Sequence, residues 1–241
     1  MAITGNYIVT DLRAEITEPN PAFFSNARIL ALINLAQMEY VRRTRVIQSF
    51  AFTSTVAGQE DYPMPADWLG AEKILYNRVN GDVDNWYPLM ATGIEKMGQE
   101  SPNFLSTETE TRSAPAKYYV INKTLHIFPK PMTSGTNDLY MFYEATPTAL
   151  TTLDDPLAID DSLYPGVRAY VLSKLWRMDN EDAKADREEA RFEKEIGNGF
   201  KWKNKRILDG RWSIDVPSFV PRTYNSYNSG AVNGQINPLN Q

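Results

Sequence analysis

GQEDYPMPADW (Gly58–Trp68) and YYVINKTLHIFPKP (Tyr118–Pro131) are the two stretches that decide the predicted fold. The second is a β-hairpin in outline, because two runs of β-branched and aromatic residues flank a short Asn122-Lys123 corner. The proline at position 129 cannot donate to a strand ladder, so it ends the hairpin. The first stretch predicts a strand that runs into a Pro-x-Pro corner, after which Trp68–Tyr76 begins another strand.

Further strand patterns lie on both sides of these stretches. Ser49–Thr55 alternates phenylalanine with small polar residues, as a half-buried strand does, and Asn85–Leu89 is a shorter candidate. Leu139–Tyr143 is a continuous apolar run, so we expect both of its faces to be covered and place it in the same sheet as the hairpin.

Helical patterns enclose this β-rich centre. The apolar spacing predicts a short helix over Thr4–Ile16 and a longer one over Ser25–Arg45, whose extra leucines, including Leu35, predict cover on more than one side. After the strands, Pro165 suits the first turn of a helix that we expect to pack on the Ser25–Arg45 helix.

A last, highly charged helix is predicted over Glu181–Ile196, with a narrow apolar seam. Gly197 and Gly199 weaken the helical pattern between this helix and Leu208. Beyond it, residues 209–241 are rich in Asn, Ser, Gly and Pro, a composition that predicts little structure of its own.

The sequence therefore predicts an α+β fold. Its parts are a helical bundle built from residues 1–48 and 162–208, an inserted antiparallel β-rich domain over 49–161, and an extended C-terminal tail over 209–241.

Composition limits the class of protein. The chain has 241 residues, 42% hydrophobic and 12% aromatic, which is enough for a full core. No apolar run reaches the roughly 18 residues that span a bilayer, and no basic start with an apolar signal core is present. The absence of Cys excludes disulfides and thiolate metal sites. We expect a globular protein with no membrane partner, made in a cytoplasm.

No catalytic or cofactor-binding constellation is found. His126 is the only histidine, and on an alternating strand we interpret it as a packed or surface imidazole. Four aspartates, at positions 154, 155, 160 and 161, lack the glycine and ligand spacing of a calcium loop, so turn and helix-capping roles are favoured. The sequence predicts neither an enzyme nor a metal site.

The formal net charge of -5 is unevenly distributed. Between Ser54 and Asp161, 16 Asp and Glu stand against 7 Lys and Arg. After this acidic centre comes a basic cluster, which either contacts nucleic acid or an acidic partner or is a solvated helix end. Its members are Lys201, Lys203, Lys205, Arg206 and Arg211.

The order of these parts resembles the head-to-tail connector family of tailed bacteriophages, adaptors similar to tail tubular protein A. The resemblance covers about Asn6–Ile196. It rests on the Ser25–Arg45 helix, the strand FAFT (Phe50–Thr53) that leads through Gly58 to YPMPAD (Tyr62–Asp67), the Tyr118–Pro131 hairpin, the Leu139–Tyr143 strand and the helix opened by Tyr164-Pro165.

This resemblance implies a structural virion protein of the neck or tail, assembled in the host cytoplasm. Such adaptors form a ring, commonly of about twelve copies, that docks under the portal, receives the downstream tail or nozzle protein and leaves a channel for the genome. The implied partners are other copies of this chain, the portal protein, the tail machinery and genomic DNA that passes without sequence-specific binding.

Two sets of residues are candidates for these contacts. The C-terminal tail carries isolated aromatic residues, Trp212, Phe219, Tyr224 and Tyr227, which we expect to anchor it in a groove of the portal or a neighbouring subunit. For the channel wall we expect carboxylates, which repel the DNA backbone and let it slide. The candidates are Asp82, Asp84, Glu108 and Glu110.

The alternative is a β-sandwich binding module, such as a tail-fibre or carbohydrate-binding protein. Exposed Trp86, Tyr87 and Tyr118 would stack on sugars in that case. Structural packing is favoured for these aromatic residues, and a binding module has little need for a charged terminal helix.

Overall fold

The computed structural model describes residues 2–16, 24–78, 85–100 and 112–208. For residues after Asn204 only the backbone is described. The described residues form an α+β fold, as predicted. The helices are α1 (Gly5–Glu15), α2 (Asn26–Thr44), α3 (Ile94–Glu100), α4 (Tyr164–Met178) and α5 (Asp182–Leu208). The strands are β1 (Gln48–Thr55), β2 (Asp61–Pro63), β3 (Trp68–Asn77), β4 (Trp86–Pro88), β5 (Met90–Ala91), β6 (Lys117–Ile121), β7 (Thr124–Phe128) and β8 (Gly135–Ala145).

Local chemistry sets both ends of α2, the long N-terminal helix. The Ser25 hydroxyl accepts a hydrogen bond from the backbone N–H of Arg28 at 3.2 Å, as an N-cap does. Arg45 ends the helix in the left-handed conformation (φ 55°) and donates its N–H to the Val41 carbonyl. The prediction of cover on more than one side is wrong at Leu35, which is 50% exposed, because the neighbouring helices pack against the opposite, fully buried face.

Helices α4 and α5 complete the helical part. Pro165 lies in the first turn of α4, which packs on α2 as predicted. Helix α5 runs without a break to Leu208, and it packs on α2 and α4 through its predicted apolar seam. The buried seam residues are Ala185, Phe192 and Ile196.

The strands form two sheets rather than one. The first has the order β1-β8-β3-β4, and all of its pairs are antiparallel. The second has the order β2-β7-β6-β5, in which β5 and β6 pair in parallel, so the expectation of a wholly antiparallel module is wrong. The prediction that Leu139–Tyr143 shares a sheet with the hairpin is also wrong, because β8 pairs between β1 and β3 along 11 residues.

The hairpin itself is confirmed. Its corner residues Asn122 and Lys123 have φ of 49° and 60°, the positive values that a tight two-residue turn between twisted strands requires. Tyr118 pairs with Ile127 and Val120 with Leu125, and the ladder stops at Phe128, directly before Pro129.

Two large apolar clusters form most of the core of the described residues, beside a small one of Met97 and Tyr119. One joins α1, α2, α4 and α5, and the other lies between the two sheets, where Leu139 and Met141 of β8 meet Leu125 and Ile127 of the hairpin. Ile47, directly before β1, packs against both clusters and connects them. Within the described ranges, no helix combines the length and apolar character needed to cross a bilayer.

The two glycines near the end of α5 allow a matched test of helix packing. A Cβ at Gly199 would lie 2.6 Å from the Tyr40 hydroxyl and 2.8 Å from Cγ2 of Thr44, whereas a Cβ at Gly197 would meet nothing within 4 Å. We expect Gly197→Ala to raise the free energy of unfolding by about 0.5–1 kcal/mol through helix propensity. Gly199→Ala is expected to lower it by about 1–3 kcal/mol through overpacking.

Urea unfolding of the two variants measures this difference. Equal stabilisation by both substitutions would contradict the close approach of α5 to Tyr40.

Candidate functional site

A group of four charged residues connects the end of α5 to the first sheet; we call it the polar junction (Arg45, Glu72, Glu144, Lys203). The Lys203 ammonium lies 2.9 Å from Glu144 and 3.2 Å from Glu72, and the Arg45 guanidinium lies 2.8 Å from the other oxygen of Glu144. The side chains of Lys203 and Glu144 are only 14% and 15% exposed, so solvent screens their interaction less than that of a surface pair. The junction therefore fixes α5 against β3 and β8.

A glycine makes room for this junction. Gly70 of β3 lies opposite Glu144 of β8 in the ladder. A Cβ at this position would come within 2.8 Å of a Glu144 carboxylate oxygen and 3.0 Å of the Arg45 guanidinium. The absence of a side chain at Gly70 lets the ion pair lie directly on the strand.

The polar junction accounts for part of the predicted basic cluster. Lys203 is used within the chain, while Lys201 is exposed. Lys205 and Arg206 belong to α5, but their side chains, like Arg211, lie outside the described part of the structure.

Next to the polar junction, the same side of the first sheet carries an aromatic surface, which we call the aromatic face (Phe50, Phe52, Trp86, Tyr140, Phe142). Phe52 stacks on Tyr140 with ring centroids 4.4 Å apart, and Phe142 meets Tyr140 edge-on at the same distance. Phe50 is 43% exposed, and Phe52, Trp86 and Phe142 are partly exposed. The aromatic face covers the outer side of β8 but remains partly exposed to solvent itself.

Polar atoms lie at the base of this face. The Tyr140 hydroxyl and the indole nitrogen of Trp86 are buried and have no hydrogen-bond partner among the described residues. Burial raises the pKa of Tyr140 to about 12, so the hydroxyl stays protonated at neutral pH.

Sequence reasoning noted the alternation of Phe50 and Phe52 but missed the aromatic face. Phe50 pairs with Phe142, and Phe52 pairs with Tyr140. The sequence signal was the alternation of aromatic residues in each of the two strands. It predicts a common surface only once β1 and β8 are known to be neighbours.

The other aromatic residues considered for sugar stacking do not form a common platform. Tyr118 is 7% exposed and belongs to the core between the sheets. Tyr87 is exposed, but the guanidinium of Arg78 lies 4.1 Å from the centre of its ring. Trp86 belongs to the aromatic face. Packing roles account for these contacts.

His126 is packed, as interpreted from its strand position. Its ring stacks on Tyr119 with centroids 4.6 Å apart, and its Nδ1 lies 2.7 Å from Asp61. Glu60 completes a group of three potential ligands within 4.8 Å of one another. The buried ammonium of Lys130 lies 3.2 Å from Glu60, so both carboxylates already have partners within the chain.

Two of the four aspartates before α4 have the turn and capping roles that were predicted, and the other two hold the N-terminal segment. Asp155 accepts hydrogen bonds from the backbone N–H groups of Thr151 and Thr152 and from the Thr151 hydroxyl, which lower its pKa to about 2. Asp160 caps the 3-10 turn (Asp161–Leu163) that leads into α4. The remaining two bind the N-terminal segment, Asp161 at the backbone of Ile3 and Asp154 at Asn6.

Two predicted sets of residues lie outside the described residues. These are the channel candidates Asp82, Asp84, Glu108 and Glu110, and the anchors of the C-terminal tail, Trp212, Phe219, Tyr224 and Tyr227. They stay predictions.

Comparison with models of protein families identifies a match. A family model described as the SU10 adaptor protein matches residues 7–214. This range contains the helices α2, α4 and α5, both sheets and Trp212, and it ends before the last three aromatic anchors. No curated protein matches the chain.

Replacing Lys203 tests the polar junction. We expect Lys203→Met to lower the free energy of unfolding by about 1–3 kcal/mol, because Glu144 loses a charged hydrogen-bond donor in a mostly buried setting. Lys201→Met, two residues earlier on an exposed part of the same helix, is the matched control and should change stability by less than about 0.5 kcal/mol. Urea unfolding measures both, and an equal effect of the two substitutions would mean that the junction contributes little.

Proposed function

The chain belongs to the SU10 adaptor protein family of phage head-to-tail adaptors, and we propose that it assembles as a ring between the portal and the tail machinery of a virion. The family match over residues 7–214 is the observation that carries this proposal. The chain is a structural phage adaptor, and the ring, of about twelve copies, is the closed assembly by which such a protein would surround a genome channel.

The outer side of α2 supports a contact between copies. Ala31, Leu35 and Met38 are exposed and fall on one stripe of the helix, since residues three and four apart are neighbours on a helical surface. Leu35 and Met38 are 50% and 39% exposed. A heterologous contact between α2 and the next copy would bury this stripe and repeat around a ring.

We propose different tasks for the parts of the chain. Residues 1–48 and 162–208 would form the helical domain that makes the contacts between copies. Residues 49–161 would form an inserted β domain. Of the four anchors predicted in the C-terminal tail, we assign the distal three, Phe219, Tyr224 and Tyr227, to a groove of the portal protein or a neighbouring subunit, because spaced aromatic residues on a polar chain give affinity without a preformed surface. The fourth, Trp212, lies within the family match and is not assigned to the portal.

The acidic centre suits a DNA channel. Carboxylates repel the phosphate backbone, whereas Lys and Arg bind it and release counterions, which slows passage. We propose that Asp82 and Asp84, or Glu108 and Glu110, line the channel. The repulsion is screened beyond about 8 Å at physiological ionic strength, so only residues close to the DNA contribute.

Electron microscopy of the protein mixed with portal protein tests the ring and the channel together. We expect closed rings docked under the portal, with a channel wall whose nearest side chains are mainly Asp and Glu. Leu35→Glu should prevent ring formation and leave the fold unchanged, because position 35 is half exposed in the protomer. Met132→Glu, at a position that is 65% exposed outside the helices, is the control and should still form rings.

Single copies bound at scattered sites, or rings that form equally well with Leu35→Glu, would contradict the assembly. A channel wall lined mainly by Lys and Arg would contradict the proposal that carboxylates line the channel, but it would not contradict the proposed ring.

Removing residues 215–241 tests the role of the C-terminal tail. The truncated chain retains everything that the family model matches, so we expect unchanged thermal unfolding and loss of portal binding by at least about tenfold. The triple variant Phe219→Ser, Tyr224→Ser and Tyr227→Ser keeps the chain length and should lose binding to a similar extent. Unchanged portal affinity of the truncated chain would remove the C-terminal tail from the docking role.

A further inference from the structure

The aromatic face is an incompletely covered apolar surface on an otherwise paired sheet. Phe50 is 43% exposed, and its neighbours Phe52 and Phe142 keep part of their rings at the surface. The centroid of the Phe50 ring lies 5.7 Å from that of Tyr140, so this is a contiguous group and not a scattered set of exposed side chains. Contiguous exposed apolar groups of this kind mark binding surfaces.

The end of α5 is held next to this surface. Lys203 is fixed to Glu144 of β8 at 2.9 Å, and the next residue on that side of the strand is Phe142 of the aromatic face. Helix α5 continues from Lys203 to Leu208, an advance of about 7–8 Å. The last residue of α5 therefore lies within one and a half helical turns of the residue that binds Glu144.

Distance favours an occupant from the same chain. Glu144 and Tyr140 are four residues apart in β8, which corresponds to about 13–14 Å. Trp212 follows Leu208 by four residues, and an extended chain of that length reaches about 13–14 Å. From Lys203 to Trp212 the chain can therefore advance by about 20–22 Å, whereas Phe142 lies about 7 Å along β8 from the glutamate that Lys203 binds.

We propose that residues 209–214 of this chain dock on its own aromatic face, with the Trp212 indole packed against Phe50 and Phe142. The segment reads DGRWSI, so Trp212 and Ile214 alternate with polar residues and present two apolar side chains to one side when extended. A tethered segment binds its own chain at a high effective concentration, which favours it over the same segment of a second copy.

The extent of the family match supports this division of the C-terminal tail. The match continues six residues beyond the end of α5 and includes Trp212, while Phe219, Tyr224 and Tyr227 lie beyond it. The docked segment would belong to the common body of the protein, and the remainder of the tail would stay available to partners. This docking does not depend on the ring or on the portal.

Limited trypsin digestion of the full-length protein tests the proposal, because two arginines report on the two parts of the tail. Arg211 immediately precedes Trp212 and would be protected by docking, whereas Arg222 lies among the distal residues. We expect cleavage after Arg211 to be at least about tenfold slower than after Arg222, with each rate divided by that of the same bond in a synthetic peptide of residues 205–230. Mass spectrometry identifies the products.

Substitutions in the aromatic face test whether docking on this face protects the bond after Arg211. The double variant Phe50→Ser and Phe142→Ser should raise the rate after Arg211 by at least about fivefold and leave the rate after Arg222 unchanged. Met90→Ser with Met132→Ser removes two exposed apolar side chains outside both the aromatic face and the exposed stripe of α2, and is the control. Trp212→Ser, which lies outside the helices and strands of the described fold, should expose the same bond even if the double variant unfolds.

Three results would overturn the proposal. One is equal normalised cleavage at Arg211 and Arg222 in the wild-type protein. Another is protection of Arg211 that survives both the double variant and Trp212→Ser. The third is protection that increases with protein concentration, which would assign the aromatic face to the segment of a second copy.

Discussion

The helical part of the molecule depends on one close approach, in which the buried ring of Tyr40 lies between two glycines. A Cβ at Gly166 of α4 would lie 2.4 Å from the Tyr40 ring, and one at Gly199 of α5 would lie 2.6 Å from its hydroxyl. The hydroxyl donates to the Glu195 carbonyl at 3.0 Å, so the buried polar group is paired, and burial raises the pKa of Tyr40 to about 12. Because α4 and α5 have no side chain at these two points, both can reach α2, and the position of α5 follows from this contact.

From that position α5 connects the helical cluster to the first sheet. It begins among helices, where Arg43 of α2 binds Glu193 through two short hydrogen bonds, and it ends at the first sheet, where Lys203 binds Glu144 and Glu72. A helix whose surface is largely charged has little apolar area with which to hold its place. These paired charges, together with Arg177 of α4 at Asp186 and Glu189, add to the narrow apolar seam and fix the orientation of α5, which burial of the seam alone would not define.

The sequence predicted the helices and strands better than it predicted which of them pair or pack together. Helix spacing, the Asn122-Lys123 turn and the end of the hairpin at Pro129 are local properties, and each was confirmed. The division into two sheets was missed because the pairing of β8 with β1 and β3 joins residues far apart in the chain, and a continuous apolar run does not state which strands cover it. The same limit hid the polar junction and the aromatic face, since Lys203 and Glu144, or Phe50 and Phe142, become neighbours only in the folded chain. The glycines at 197 and 199 weaken a helix by propensity, but packing against Tyr40 outweighs that cost at the second of them.

The two sides of β8 show how one strand can serve both stability and binding. Its odd-numbered residues from Leu139 to Ala145 are buried between the sheets, whereas Tyr140, Phe142 and Glu144 point to the other side. When one side of an antiparallel strand lies in a core, the other side usually faces solvent and carries polar residues. Aromatic residues on that second side therefore require an explanation. Glu144 supplies part of it by fixing α5 to the strand. Since a shift of register by one residue would exchange the two sides, the polar junction at Glu144 also keeps Tyr140 and the partly exposed Phe142 on the side of the strand that faces away from the core between the sheets.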